Sequence, residues 1–255
     1  MSRVRVFGIT VDRLTTRAAI DRILDLAKTG GRHVAVTPNL DHVVLLRTDQ
    51  RLRDVYAIAS LVLADGMPLV WASRIGGALL PERVAGSDLV APVLAGAERN
   101  GLSVFFLGPM PETLSLALAR CAADYPRLRI AGSFAPPRGF EEVKALDDAC
   151  VAAVRESLPD VLFVSLGCPK QEHWIGRHRN DLPFGVALCV GAGVDFFAGV
   201  VQRCPRLVAM MGGEWLWRLI HEPRRLWRRY AQCLLLLPGL VVDQFRDAYR
   251  PKSPD

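Results

Sequence analysis

Short apolar runs alternate with longer amphipathic stretches along most of the chain. Seven brief runs, rich in β-branched and aromatic side chains and closed by Gly, Pro, Asn or Asp, predict strands at 4–11, 33–37, 61–64, 103–107, 129–133, 161–166 and 186–190. Between them lie helical patterns. Ala19, Ile20, Ile23, Leu24, Leu26 and Ala27 recur on one face of a helix over 15–28. Further helices are predicted at 40–56 (one or two), 111–124, 141–157 and 87–99, the last capped by Ser87 with Asp88 in its first turn. Near-continuous apolar strands separated by helices predict an α/β fold over residues 1–200: a Rossmann-like, mainly parallel sheet with helices on both faces. After Gly199 the pattern changes. Residues 205–230 read as one or two helices rich in Trp and Arg, with Pro223 ending one or opening the next. Residues 201–255 are therefore expected to form a helical, basic C-terminal appendage.

Composition narrows the picture. With 51% hydrophobic and 23% charged residues among 255, the chain buries enough surface to order itself, which excludes disorder; its size excludes a disulfide-stapled miniprotein. A mean hydropathy of +0.21 raises the question of a membrane. No apolar run reaches the roughly 18 residues of a spanning helix, and the N-terminus lacks the apolar stretch of a signal peptide. The run at 233–242, interrupted by Pro238-Gly239, is long enough to dip into a membrane face and too short to cross it. Six cysteines form no CxxC pair and sit among apolar neighbours, which fits reduced thiols in a cytoplasmic protein.

The net charge of +6 is concentrated. Between Arg203 and Arg229 seven arginines face two glutamates, a local charge of +5. A nucleic-acid-binding protein spreads such charge over a domain face, so an anionic membrane surface or a diphosphate is the expected partner and nucleic acid is not.

In doubly wound sheets ligands bind beyond the carboxyl ends of the strands, so the residues just after each strand carry the candidate chemistry. Thr37 and Asn39 follow the second run; each could cap a helix or face a ligand. Asp65, at a strand tip beside Gly66, is placed to act as a general base, although Asp-Gly also makes turns. Arg83 precedes a helix and could hold an anionic or polar ligand. Gly108 lies at a strand–turn–helix junction suited to phosphate, without the GxGxxG of a dinucleotide site or the GxxxxGK[ST] of a P-loop. Lys170, Gln171 and Glu172 open a helix after a strand tip and could read a ribose or diphosphate; a solvated helix start is the alternative. Gly191 and Gly193 permit close backbone approach, and Asp195 could accept from a ribose or base. There is no DxD pair and no His–carboxylate grouping at metal-ligand spacing, so neither a metal nor another cofactor is expected.

Taken in order, TPNLDHV (37–43), ADGMPLV (64–70), RVAGSDL (83–89), FFLGPMPET (105–113), YPRLRIAG (125–132), LGCPKQEHWI (166–175), GAGVDFFAG (191–199) and EWLWRLIHEPRRLWRRY (214–230) resemble the WecG/TagA/CpsF family of glycosyltransferases across nearly the whole chain. The resemblance implies an inverting transfer from a UDP-sugar to a polyprenyl-diphosphate-linked saccharide, in the making of exopolysaccharide or another bacterial cell-surface polymer. The enzyme would be cytoplasmic and attached peripherally to the inner face of the cell membrane. It implies Asp65 as general base with Thr37 beside it, Asn39 and Arg83 in the sugar pocket, and Gly108, Gln171 and Asp195 at the nucleotide. Lys170 and Glu172 join them as candidate substrate contacts. Arg218, Arg224, Arg225, Arg228 and Arg229 would serve UDP, the acceptor diphosphate or anionic lipid. The donor stays open between a UDP-hexose and a UDP-N-acetylmannosamine type. Two rivals are an NAD(P)-dependent oxidoreductase, against which the missing GxGxxG counts, and a non-catalytic nucleotide-sugar-binding module. The apolar tail would favour self-association or lipid.

Overall fold

The computed structural model describes residues 2–75, 77, 79–205, 208, 213–221 and 223–249; the side chains of residues 214, 218, 225 and 247–249 lie outside the description. The chain begins with an antiparallel hairpin, β1 (Arg3–Val6) and β2 (Ile9–Asp12). The sequence pattern predicts a single strand here over 4–11. The apolar alternation runs straight through the turn, but Phe7 and Gly8 both take positive φ (48° and 81°), the two-residue turn whose twist matches a hairpin. Asp12 fastens the hairpin to the body, since its Oδ2 accepts from Val62 N at 2.8 Å and its Oδ1 from Arg3 Nε at 2.8 Å.

The body is a six-stranded parallel sheet with order β4-β3-β8-β7-β5-β6, comprising β3 (His33–Val36), β4 (Leu61–Val62), β5 (Ser103–Leu107), β6 (Arg129–Phe134), β7 (Val161–Val164) and β8 (Val186–Cys189). Strands β5, β7 and β8 are buried along their whole length, as expected where helices cover both faces. One face carries α1 (Thr16–Thr29), α5 (Gly86–Asn100), α6 (Pro111–Asp124) and α9 (Gly193–Ala198), packed around Ile23, Leu89, Leu94, Phe106 and Phe163. The other carries α2 (Leu40–Leu46), α3 (Gln50–Ile58), α4 (Met67–Ile75), α7 (Lys144–Ser157) and α8 (Lys170–His178), around Val43, Val55, Leu69, Val154 and Trp174.

Strand β3 leads into α2 on one face, and its neighbour β8 leads into α9 on the other. That divergence of two adjacent strands opens a crevice at their carboxyl ends. Helix α5 begins one residue before the predicted cap. Its N-cap is Ala85, not Ser87, and it makes no side-chain cap bond. Gly86 at its first position packs so tightly that a Cβ would meet Thr37 Oγ1 at 2.9 Å and Val190 O at 3.2 Å.

Beyond α9 come α10 (Glu214–His221) and α11 (Pro223–Tyr249). The run at 233–242 is no break: α11 continues through Pro238, which is exposed, so the carbonyl it cannot serve faces water. Leu226, Cys233, Leu240 and Gln244 are buried, and α11 packs on α2 and α4. Gln244 clasps the hairpin turn: its Oε1 accepts from Phe7 N at 2.7 Å and its Nε2 donates to Arg5 O at 3.3 Å. Among the described residues no helix is long and apolar enough to cross a membrane.

Candidate active site

A cavity of about 380 Å³ opens where β3, β4 and β8 end, roofed by α10 and α11. Asn39 is the N-cap of α2 after β3 and Asp41 sits in that helix's first turn; Asp65 comes from the tip beyond β4, Arg83 from just before α5 and Ser87 from its first turn, Ala192 from the loop after β8 and Gly193 from the start of α9. Trp71, Phe196, Trp215, Leu226, Tyr230 and Leu234 supply apolar and aromatic walls. Such a mixture of apolar surface with a few converging polar groups suits a small organic ligand.

The backbone holds Asp65 by two short bonds around it: Asp65 N donates to Pro38 O at 2.8 Å, and Val84 N to Ala64 O at 2.8 Å. Its carboxylate is 27% exposed, with Arg83 Nη1 at 3.9 Å from Oδ1 and Gly86 N at 3.4 Å from Oδ2. The Arg83 guanidinium also donates to Asp88 Oδ2 at 2.9 Å. Asp88 in turn receives Arg203 Nη1 at 2.6 Å, while Arg203 Nη2 donates to Ser87 O at 2.9 Å. Arg83 thus lines the cavity at the start of α5, while Arg203 stands outside the lining, held on Asp88 and Ser87. Arg229 lines it from α11. It is ion-paired with Asp41, to which its Nε donates at 3.1 Å. Burial works against the Arg229 charge, but the Asp41 carboxylate outweighs it and raises its pKa.

The other expected contacts lie elsewhere. Thr37 is 7% exposed and donates to Cys189 O at 3.1 Å, so it ties the ends of β3 and β8 together under the cavity floor. Gly108 sits at the end of β5 with φ of +67°, where a Cβ would strike Ser165 O at 2.6 Å. Asp195 is in the first turn of α9 and is not among the cavity's lining residues. Lys170 points away and pairs with Glu141. Gln171 and Glu172 are buried, not exposed at a helix start: Gln171 Nε2 donates to Glu172 Oε1 at 2.8 Å and its Oε1 accepts from Gly191 N at 3.0 Å. Gln171 thereby holds the Gly191 loop from beneath. Arg224 and Arg228 are exposed, the latter over the Trp227 ring at 5.5 Å. The side chains of Arg218 and Arg225 lie outside the described residues. Sequence reasoning misses Asp41, Trp71 and Tyr230. Asp41 stands two residues from Asn39, in the first turn of α2; Trp71 falls on α4, a helix hidden behind its Met67-Pro68 start.

Folding also assembles a group that no local spacing announces. His42, Cys168 and Glu172 place ligand-type atoms within 4.8 Å of one another. Burial raises Glu172 to about 7 and lowers His42 to about 4, the latter against the pull of the Asp41 carboxylate. Burial also pushes the Cys168 thiol far up. Between those two values all three groups are neutral, so the 3.8 Å between His42 Nε2 and Glu172 Oε1 is a polar contact, not an ion pair. The cluster supports the start of α2: His42 Nδ1 lies 2.8 Å from Asn39 Oδ1, which caps α2 through Asp41 N and His42 N.

The two shifts have opposite consequences for stability. Glu172 keeps its proton in the fold above its ordinary value of 4.5, so its contribution is full below 4.5 and is lost as pH rises to about 7. His42 contributes above 6.5, and this is lost as pH falls to about 4. The slopes offset each other over the shared window. Glu172→Gln removes one of them, worth about 3 kcal/mol over its window. Melting curves at pH 5 and pH 8 should show the variant gaining several degrees on the wild type at the higher pH; identical pH dependence would contradict a buried neutral Glu172.

The sequence profile of the glycosyl transferase WecG/TagA/CpsF family matches residues 4–251. The chain is 34% identical over 193 residues to the N-acetylglucosaminyldiphosphoundecaprenol N-acetyl-beta-D-mannosaminyltransferase of Bacillus spizizenii W23, covering 75% of this chain and 70% of that one. It is 30% identical over 206 residues to the transferase of the same name from Bacillus subtilis 168, covering 80% and 76%. The like-named protein of Staphylococcus aureus MW2 shares 29% over 229 residues, covering 89% and 88%. With a crevice at the strand tips that gathers Asp65, Asn39 and Arg83, and with that match spanning nearly its full length, the chain belongs to the WecG/TagA/CpsF family and is a glycosyltransferase.

Proposed function

We propose that the enzyme moves a sugar from a UDP-sugar, of the N-acetylmannosamine type, to the hydroxyl of a polyprenyl-diphosphate-linked saccharide during synthesis of a cell-surface polymer. The observation that carries the reading is the carboxylate of Asp65, held by backbone at a strand tip on the wall of a largely apolar cavity that Arg83 and Arg229 also line. The names of the relatives support the choice of sugar and acceptor. In the reaction the acceptor oxygen attacks the anomeric carbon, the bond from that carbon to the UDP oxygen breaks, and Asp65 takes the acceptor's proton. One displacement inverts the anomeric centre. A second carboxylate, Asp41, also lines the cavity, but its Oδ2 receives both Nε and Nη2 of Arg229, which disfavours it as a nucleophile. Charge grows on the leaving diphosphate, and Arg83 and Arg229, which line the cavity, are the forked donors available to answer it.

A lipid-linked acceptor requires the enzyme to work at a membrane. Trp227, Leu234, Leu235, Val242 and Phe245 are exposed along α11, with Arg224 and Arg228 among them. An apolar stripe mixed with Trp and Arg suits peripheral attachment to an anionic bilayer. The reading is tested by offering a set of UDP-sugars with a short-chain polyprenyl-diphosphate N-acetylglucosamine and measuring UDP release. Release with UDP-N-acetylmannosamine only when acceptor is present supports it; release that ignores the acceptor refutes it.

A further inference from the structure

A second cavity, of about 830 Å³, lies away from the strand tips, between the β1–β2 hairpin, the α2–α3 corner and the last turns of α11. Its lining includes five arginines, Arg3, Arg5, Arg47, Arg53 and Arg246, and one acidic residue, Asp243. Its floor is apolar, with Val43, Leu46, Val62 and Leu240. None of these residues lines the sugar-transfer cavity. The site is hidden in the sequence because its arginines are scattered from Arg3 to Arg246 and escape a count of local charge.

Several of these arginines are already oriented. Arg53 Nη1 donates to Leu46 O at 2.7 Å, Arg3 Nε to Asp12 at 2.8 Å, and Arg47 stands 3.8 Å from Asp243. Each keeps further N–H groups, because a guanidinium carries five. Five arginines against one carboxylate leave the cleft with an excess of positive charge over an apolar floor, which focuses a field that draws anions, and guanidinium groups match phosphate oxygens in pairs. The mouth adjoins the exposed stripe of α11: Arg246 lies one turn from Val242, which is 48% exposed, and Val242 two turns from Leu235, which is 80% exposed. A ligand reaching this cavity while α11 rests on a bilayer is anionic at one end and hydrocarbon at the other.

We propose that this cavity takes the phosphate headgroup of an anionic membrane phospholipid, separate from donor and acceptor. It would thereby lock the hairpin, the α2–α3 corner and α11 onto the bilayer together. The proposal builds on membrane attachment but not on the identity of the sugar or the role of Asp65.

The test uses the full chain and vesicles of phosphatidylcholine with or without phosphatidylglycerol, read by co-sedimentation. Arg47→Gln with Arg246→Gln should weaken binding to the anionic vesicles about thirtyfold, and leave binding to pure phosphatidylcholine unchanged. Ala57→Trp, at an exposed lining position, fills the cavity without altering charge and should also lose the preference for phosphatidylglycerol. Full preference in Ala57→Trp would mean diffuse attraction and would overturn the cavity as the site. Equal losses on both vesicle types would assign the effect to the apolar stripe and would overturn it as well. Soluble glycerol 1-phosphate provides the last arm: if it saturates the cavity at micromolar concentration while phosphatidylglycerol vesicles gain nothing, the site serves a free phosphate ester and the lipid assignment fails. In every variant, turnover on a short water-soluble acceptor should match the wild type, so failure here is distinguishable from failure of the transferase reading.

Discussion

Asp65→Asn is expected to lower turnover about 10³-fold while donor binding changes by less than about twofold. The substitution keeps size and hydrogen-bonding reach but removes the group that accepts the proton. Asp65 N to Pro38 O and the neighbouring Val84 N to Ala64 O are backbone bonds that Asn retains, its side-chain oxygen can still accept from Gly86 N, and Arg83 keeps its bond to Asp88. The cavity should therefore keep its shape, and the loss should fall on kcat rather than on donor affinity. Nucleotide affinity by calorimetry and UDP release in the same preparation separate the two. Turnover near the wild-type rate would remove Asp65 from the reaction.

The second large effect concerns the clasp between α11 and α2. Arg229→Ala should lower activity on lipid-linked acceptor by about 10²-fold or more, the usual cost of removing one charged donor from a developing anion. Two causes could combine. Arg229 lines the cavity, and it also neutralises Asp41, which is only 8% exposed and would be left without this partner. A second substitution distinguishes them. Asp41→Asn in the Arg229→Ala background removes the uncompensated charge, so it should restore thermal stability. If Arg229 also answers the leaving or acceptor diphosphate, activity stays low in the double variant. Recovery of both together would reduce Arg229 to a structural strap.

Much of the fold is legible along the chain because strands buried on both faces leave a plain trace. The runs ending at Thr37, Ala64, Leu107 and Val190 mark the strand tips, and the loops at three of them border the cavity. The hairpin is hidden because alternation continues through Phe7-Gly8 without an Asn-Gly signal. The start of α11 at Pro223 is legible, and its continuation to Tyr249 is hidden because Pro238 normally ends a helix, whereas here Pro238 is exposed. At the site, Asp65, Asn39 and Arg83 are readable because they directly follow strands or precede a helix. Burial of Gln171 and Glu172 is not legible, because polarity alone does not tell which way a helix start faces. Trp174 and Ile175 carry that face of α8 into the core, and Gln171 and Glu172 go with them. The same ambiguity separates Arg229 from Arg228: adjacent in sequence, one meets Asp41 across the cavity while the other rests on Trp227 in solvent.

The stereochemistry of the product is the most direct measurement of the proposed chemistry. With UDP-N-acetylmannosamine and the short-chain diphosphate acceptor, the isolated product should carry one added sugar joined with inverted configuration, in equal amount to the UDP released. Both follow from a single displacement with Asp65 as base. A retained configuration, or UDP release with free sugar and no lengthened acceptor, would contradict it.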